Sequence, residues 1–233
     1  MYFIDLKTQL AEVREKINVK IKDVLDSGVY LDGTTVTEIE NKLSSYIGVK
    51  YAVEVGSGTD ALLIPLIAFN VGPGDAVFTT SFSFISTAMV IGILRATPVF
   101  VDIDEKTFNI DPSHLEDEIK KVVKEGKLKP RGIIPVDLFG QSADYDKINY
   151  LAEKHELFVL ADSAQSFGAS YKGRRSCSLT SVGATSFFPE KPLGCYGNGG
   201  MIFTDDKDLY EQIVSVKVYG CNEDDKFDNI RLD

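Results

Sequence analysis

The segment SFFPEKPLGCYGNGGMIF, residues 186–203, seats Lys191 between two prolines in a stretch with four glycines. A lysine crowded by apolar neighbours loses the hydration of its ammonium, which favours the neutral amine, a nucleophile able to form a Schiff base. Ser186, five residues earlier, is spaced to reach a phosphate near the same point. A surface lysine in a glycine-rich loop accounts for the spacing equally well. Asp162 closes the apolar run LFVLAD, at the carboxyl edge of a parallel sheet, where ligands gather in open α/β folds. A carboxylate there either meets a ligand or caps a turn. Gln165, three residues on, is placed to orient a ligand hydroxyl, or is an ordinary polar loop residue.

In VEVGSGTDALL a strand gives way to a helix, and the backbone N–H groups and positive helix end suit a phosphate. Gly56 and Gly58 allow close backbone approach and Thr59 offers a hydroxyl. Gly56, Gly58 and Ala61 also spell GxGxxA, the dinucleotide pattern, which requires an acid at the end of the next strand. Asp75 instead precedes the strand AVFTT. A tight turn with no ligand is the plain alternative. Phe82 and Phe84, in TTSFSFIST, read as core unless a planar ligand lies beside Phe84. The basic cluster Lys172 to Arg175 is either a solvated turn or a contact for the phosphates of a nucleotide-linked substrate.

The elements that must position these residues are legible from periodicity. Leu10, Val13, Ile17, Ile21 and Val24 recur at helical steps between Thr8 and Leu25, predicting an amphipathic helix. A second helix is predicted from Thr37 to Ile47, ending at Gly48. Then short apolar runs, at 51–55, 76–80, 97–103, 132–136 and 157–162, alternate with helical segments, as in βαβ units around a largely parallel sheet. GATSFF and GGMIF are expected to pair antiparallel across the loop that holds Lys191. No repeat or long linker divides the 233 residues, so one principal domain is the economical reading.

A net charge of −10 argues against nucleic-acid or anionic-membrane partners. Cys177, Cys195 and Cys221 are odd in number and far apart, with only His114 and His155 to assist them. Disulfide frameworks and metal sites are therefore poor readings. No run has signal-peptide or membrane-span length, which points to the cytoplasm.

Taken in order, SGTDALL, TTSFSFISTA, PVFVDID, VDLFGQSADYD, LADSAQSFGA, SFFPEKPLGCYGNGG and MIFTDD resemble the large domain of the DegT/DnrJ/EryC1/StrS family. These are pyridoxal-phosphate (PLP) sugar aminotransferases of the aspartate aminotransferase fold, an α/β fold of type I with a mostly parallel mixed sheet flanked by helices. The resemblance implies that Lys191 is the Schiff-base lysine and proton carrier, and that Asp162 pairs with the ring nitrogen of PLP. It further implies that Gln165 bonds the ring's 3-hydroxyl oxygen and that Phe84 lies against the ring. Gly58, the backbone of Thr59 and Asp60, and the Ser186 hydroxyl would hold the phosphate. The substrates implied are a UDP-linked 3-keto-2-acetamido uronic acid and glutamate, for surface polysaccharide synthesis, with a homodimer sharing its active sites.

Two positions depart from the pattern. Glu190 stands where relatives usually carry a small residue, and Asn198 replaces a common acid. Relatives also continue into a smaller C-terminal domain. Residues 1–233 are thus expected to form a PLP-binding large domain with an N-terminal helical segment, the small domain being absent. The alternative is a noncatalytic remnant that at most binds PLP. Asn229 is not assigned to the family's partner-supplied phosphate ligand.

Overall fold

The computed structural model describes residues 4–220. Its helices are α1 (Leu6–Ser27), α2 (Thr34–Ile47), α3 (Gly58–Ala68), α4 (Ser86–Ile93), α5 (Pro112–Glu125), α6 (Tyr145–Lys154) and α7 (Lys207–Lys217). Its strands are β1 (Tyr51–Val55), β2 (Asp75–Thr80), β3 (Thr97–Val101), β4 (Lys129–Ile134), β5 (Phe158–Asp162), β6 (Ser170–Tyr171), β7 (Arg174–Arg175), β8 (Val182–Ser186) and β9 (Gly200–Thr204). Asp5, Ser57, Asp111, Asp144 and Asp206 each accept first-turn amide hydrogens through their side chains, and so start α1, α3, α5, α6 and α7. Gly28, Gly48 and Gly126 take positive φ and end α1, α2 and α5.

Seven strands form one sheet in the order β1-β9-β8-β5-β4-β2-β3. From β8 to β3 every pairing is parallel, whereas β9 runs antiparallel to both β8 and β1. The antiparallel hairpin expected across the Lys191 loop is present, with Val182 opposite Thr204 and Ser186 opposite Gly200.

Both faces of the sheet are covered, which is why its strands read as nearly continuous apolar runs. Val77, Ile134 and Leu160 pack with Leu66 of α3 and Ile213 of α7 on one face. Their chain neighbours Phe78, Ile133 and Val159 pack with Ile119 of α5 and Ile148 of α6 on the other. The period-2 alternation of a strand sends successive residues to opposite cores. A smaller cluster joins Leu43 and Ile47 of α2 to Ala52, Met201 and Phe203 at the β1/β9 end.

Two expectations need correction. The run GIIPV enters the sheet earlier, as Lys129–Ile134, pairing with β2 from Asp75 onward, and the strand stops before Pro135, which has no N–H to give a ladder. The chain still tracks β5 beyond it, since Asp162 N–H donates to Pro135 O (2.9 Å) and Val136 bridges Asp162. The amphipathic pattern of α1 correctly marks a helix, yet no α1 residue is buried among the described residues. Ile21 and Leu25 are exposed on it.

Candidate active site

The parallel strands β2, β4, β5 and β8 all end at one edge of the sheet. Beside that edge α3 begins, and the loop from β8 to β9 folds over it. Between them lies a cavity of about 920 Å³. Gly58, Thr59, Phe84, Asp162, Gln165, Ser186 and Lys191 line it, so residues 133 positions apart in the chain share one space. Asp60 lies behind the wall. Its N–H donates to Ser57 Oγ (3.1 Å) and its carboxylate accepts the Ser57 hydroxyl (2.8 Å), which caps α3.

At one end of the cavity three backbones converge. A Cβ on Gly58 would stand 2.5 Å from Ser186 Cβ, and one on Gly200 would stand 2.4 Å from Ser57 O. Only glycine permits these approaches. They bring the start of α3, the end of β8 and the start of β9 around one point at a helix N-terminus, an arrangement that suits an anion. Thr59 and Ser86 share a hydroxyl contact of 3.0 Å at the same end.

Asp162 lies deeper, 6% exposed. Thr87 Oγ1 donates to its Oδ2 (2.8 Å) and Ala164 N–H to its Oδ1 (3.2 Å). Burial pushes its carboxyl above the usual range, while these two bonds and the charge of Lys191 pull it back. The carboxylate therefore gains from any cationic donor presented in the cavity. Gln165 accepts Phe139 N–H at Oε1 (2.9 Å), which leaves its amide group for the cavity. Phe84 is 68% exposed, so the core reading of this aromatic fails. Phe82 is exposed as well and clusters with Phe108 and Phe139 at 5.7 and 6.4 Å between ring centroids.

The surroundings of Lys191 differ from the crowded apolar setting expected of them. Lys191 is half-buried, and Phe188, Pro192 and Tyr196 around it are exposed. What shapes the loop is backbone bonding: Lys191 N–H to Phe188 O, Cys195 N–H to Phe187 O, and Phe187 N–H to Gly199 O, each 2.8 Å. Glu190 and Asn198 both reach the cavity wall.

The basic cluster lies outside the lining of the cavity. Tyr171 and Arg174 pair across a two-residue turn at Lys172 and Gly173, both with positive φ. Lys172 contacts Asp146, Arg174 donates to Ser178 O, and the Arg175 guanidinium lies 4.1 Å from the Tyr46 ring centroid. Each cation is engaged locally and none lines the cavity, as in a solvated turn. The buried Cys177 thiol is pushed up to about 12 by burial, and among the described residues no cluster suited to a metal occurs. Cys221 and Asn229 lie outside the described residues.

Sequence reading missed several participants. Thr87 and Ser57 carry no signal beyond being hydroxyls near helix starts. Ile4, Asp5, Leu6 and Gln9 wall the cavity from the far N-terminal end, which no local pattern announces. Asp137 did carry a signal, because it follows an apolar run as Asp162 does. It is fully buried and accepts hydrogen bonds from Ala143 N–H, Tyr145 Oη, Ser163 Oγ and Ser166 Oγ.

A mostly parallel mixed sheet, helices on both faces and a cavity at the strand ends define a fold-type I α/β protein. The chain belongs to the DegT/DnrJ/EryC1/StrS aminotransferase family, matching it over residues 11–232. It is 48% identical to UDP-2-acetamido-2-deoxy-3-oxo-D-glucuronate aminotransferase of Pseudomonas aeruginosa, over 99% of this chain and 62% of that protein. A DegT/DnrJ/EryC1/StrS aminotransferase from Brucella abortus superposes with a TM-score of 0.96 at 44% identity, over 99% of this chain and 62% of its own. NtdA of Bacillus subtilis, solved with its cofactor PMP bound, superposes at 0.85 with 27% identity, over 100% of this chain and 51% of its own. The chain thus spans about three fifths of the length of the curated relative.

Proposed function

We propose that residues 1–233 form the PLP-binding large domain of a sugar-nucleotide aminotransferase. The observation that carries this is the single cavity in which Lys191, Asp162 and the Gly58–Ser186 approach meet. The residues fit the cofactor. The glycine-built recess at the start of α3 suits its phosphate, and the buried Asp162 suits a protonated ring nitrogen. The amide of Gln165 suits the ring's 3-oxygen, and the exposed Phe84 ring suits one face.

PLP, when bound, supplies a ring that withdraws electrons from the carbon bearing the transferred amine. The chain's own residues do the rest. Lys191 Nζ would hold the cofactor aldehyde and would carry the proton to and from the substrate carbon. Asp162 would keep the ring nitrogen protonated, Gln165 would hold the ring's 3-oxygen, and Thr59 and Ser186 would hold its phosphate. The keto-sugar assigned is a UDP-linked 3-keto-2-acetamido uronic acid and the amino donor is glutamate, in cytoplasmic synthesis of surface polysaccharide. Similarity to the P. aeruginosa enzyme supports this sugar.

A homodimer belongs to the same proposal. The described lining holds Asp5, Asp162 and Glu190 but only one cation, Lys191, so a nucleoside diphosphate needs positive charge from elsewhere. Ile85, Met89 and Ile93 at α4 and Phe100 on edge strand β3 are exposed, as a face that meets a second copy would be. The same shortage of cations favours a second reading, PLP binding without turnover.

Titration with PLP should give an absorbance band at the violet edge that borohydride fixes onto Lys191. Lys191→Ala should abolish both. Absence of a Lys191 adduct in the parent chain refutes the assignment. Amination of a UDP-keto-sugar by this chain would exclude the reading without turnover.

A further inference from the structure

Resting on the PLP reading above, we infer that Asp137 is a positioning residue that sets the separation of Asp162 and Gln165. Its two carboxylate oxygens divide their work between two loops. Oδ1 accepts Ala143 N–H (3.0 Å) and the Tyr145 hydroxyl (2.8 Å), which fixes the loop that follows β4. Oδ2 accepts the hydroxyls of Ser163 (3.1 Å) and Ser166 (2.8 Å), which fixes the turn that follows β5. The two serines bracket Ala164 and Gln165. Ala164 N–H is one of the two donors to the Asp162 carboxylate, and Gln165 is held by Phe139 of the other loop (2.9 Å). The Asp137 backbone completes the link, its N–H donating to Asp162 O (3.0 Å).

The chemistry of the cluster argues for geometry over stability. Asp137, Tyr145, Ser163 and Ser166 are all essentially buried, and every bond to the carboxylate comes from a neutral donor. A buried carboxylate without a cation is costly, and well-packed apolar side chains of similar volume commonly serve stability as well or better. What apolar packing lacks is direction. Two directed bonds tie the Ser163–Ser166 turn to an acceptor that two more bonds fix to the loop after β4, and that turn sets the spacing of Asp162 and Gln165.

The test compares Asp137→Ala, Asp137→Asn and Ser166→Ala by two readouts. One is PLP affinity from the violet-edge absorbance. The other is amide hydrogen exchange at residues 163–168 without PLP. Asp137→Ala should weaken PLP binding about tenfold and speed that exchange. Asp137→Asn should restore both to within about threefold, because its oxygen still accepts from Ala143 and Tyr145 while its amide can donate to the serine hydroxyls. Ser166→Ala, which removes one bond and leaves the core filled, should move both readouts the same way by a few fold, and it decides the matter if Asp137→Ala does not fold. An Asp137→Ala chain that melts earlier yet keeps parental PLP affinity and exchange overturns the inference, as does a silent Ser166→Ala. If the parent chain binds no PLP, the functional reading fails, and the exchange pattern alone upholds or overturns the clamp.

Discussion

At the scale of residues, Asp162 shows how a site can be built against the stability of its own fold. Burial raises its carboxyl above the ordinary range, so Asp162 supports folding fully only below that range and loses this support as pH rises through the raised value. Above the raised value the ionised carboxylate sits where the neutral form is preferred. Asp162→Asn keeps the shape, its oxygen can face Ala164 N–H, and its amide can donate to Thr87 Oγ1. The variant should therefore be more stable than the parent by about 1 kcal/mol in urea without ligand above the raised value, and the gain should shrink as pH falls through it. PLP binding should fall in the same protein. A variant less stable than the parent across the whole pH range would show that the hydrogen bonds of Thr87 and Ala164 outweigh the burial. Lys191 teaches the complementary lesson: its neighbours are open to solvent, and its placement comes from the backbone bonds of its loop.

At the scale of elements, one strand direction decides the site. β9 runs antiparallel to β8, so the chain leaving Ser186 must return to Gly200 directly opposite it. The intervening loop, with Lys191, is thereby hung over the edge where β5 ends in Asp162. Gly200 also touches the first turn of α3, where an added Cβ would meet the Ser57 carbonyl at 2.4 Å. Backbone cannot step aside cheaply. Gly200→Ala should cost about 1–3 kcal/mol in a urea melt and weaken PLP binding by displacing the start of α3. Unchanged binding with lowered stability would detach the phosphate recess from the β9 contact. The Ser57 cap belongs to the same unit, since it closes the first turn of α3, where Gly58 and Thr59 line the cavity.

At the scale of the whole molecule, the described surface leaves apolar areas uncovered. Val19, Ile21 and Leu25 of α1, and Met89 and Ile93 of α4, are all exposed. If α4 meets a second copy, Met89→Asp should shift sedimentation from dimer toward monomer without altering the far-ultraviolet circular dichroism, because neither core depends on Met89. A dimer that survives the substitution places the interface elsewhere.

The alternation of apolar runs and helical periods was enough to order nearly every major element, because a sheet covered on both faces imprints continuous hydrophobicity on its strands. Strand ends were less legible where Pro135 interrupts the ladder. Residue chemistry together with motif resemblance marked Lys191, Asp162, Gln165, Phe84, Thr59, Gly58 and Ser186, and the fold gathers these into one cavity. Resemblance also included Asp60, whose amide the structure gives to Ser57. The sequence by itself determined the layered α/β architecture and the chemistry at the strand ends, since both follow from local periodicity and residue type. Only the tertiary structure decided that backbone bonds shape the Lys191 loop, that Thr87 bonds Asp162, that Asp137 bonds the loops after β4 and β5, and that Ile4, Asp5, Leu6 and Gln9 wall the cavity. Those are contacts between distant segments, and no local pattern encodes which distant partner a buried hydroxyl or carboxylate will meet.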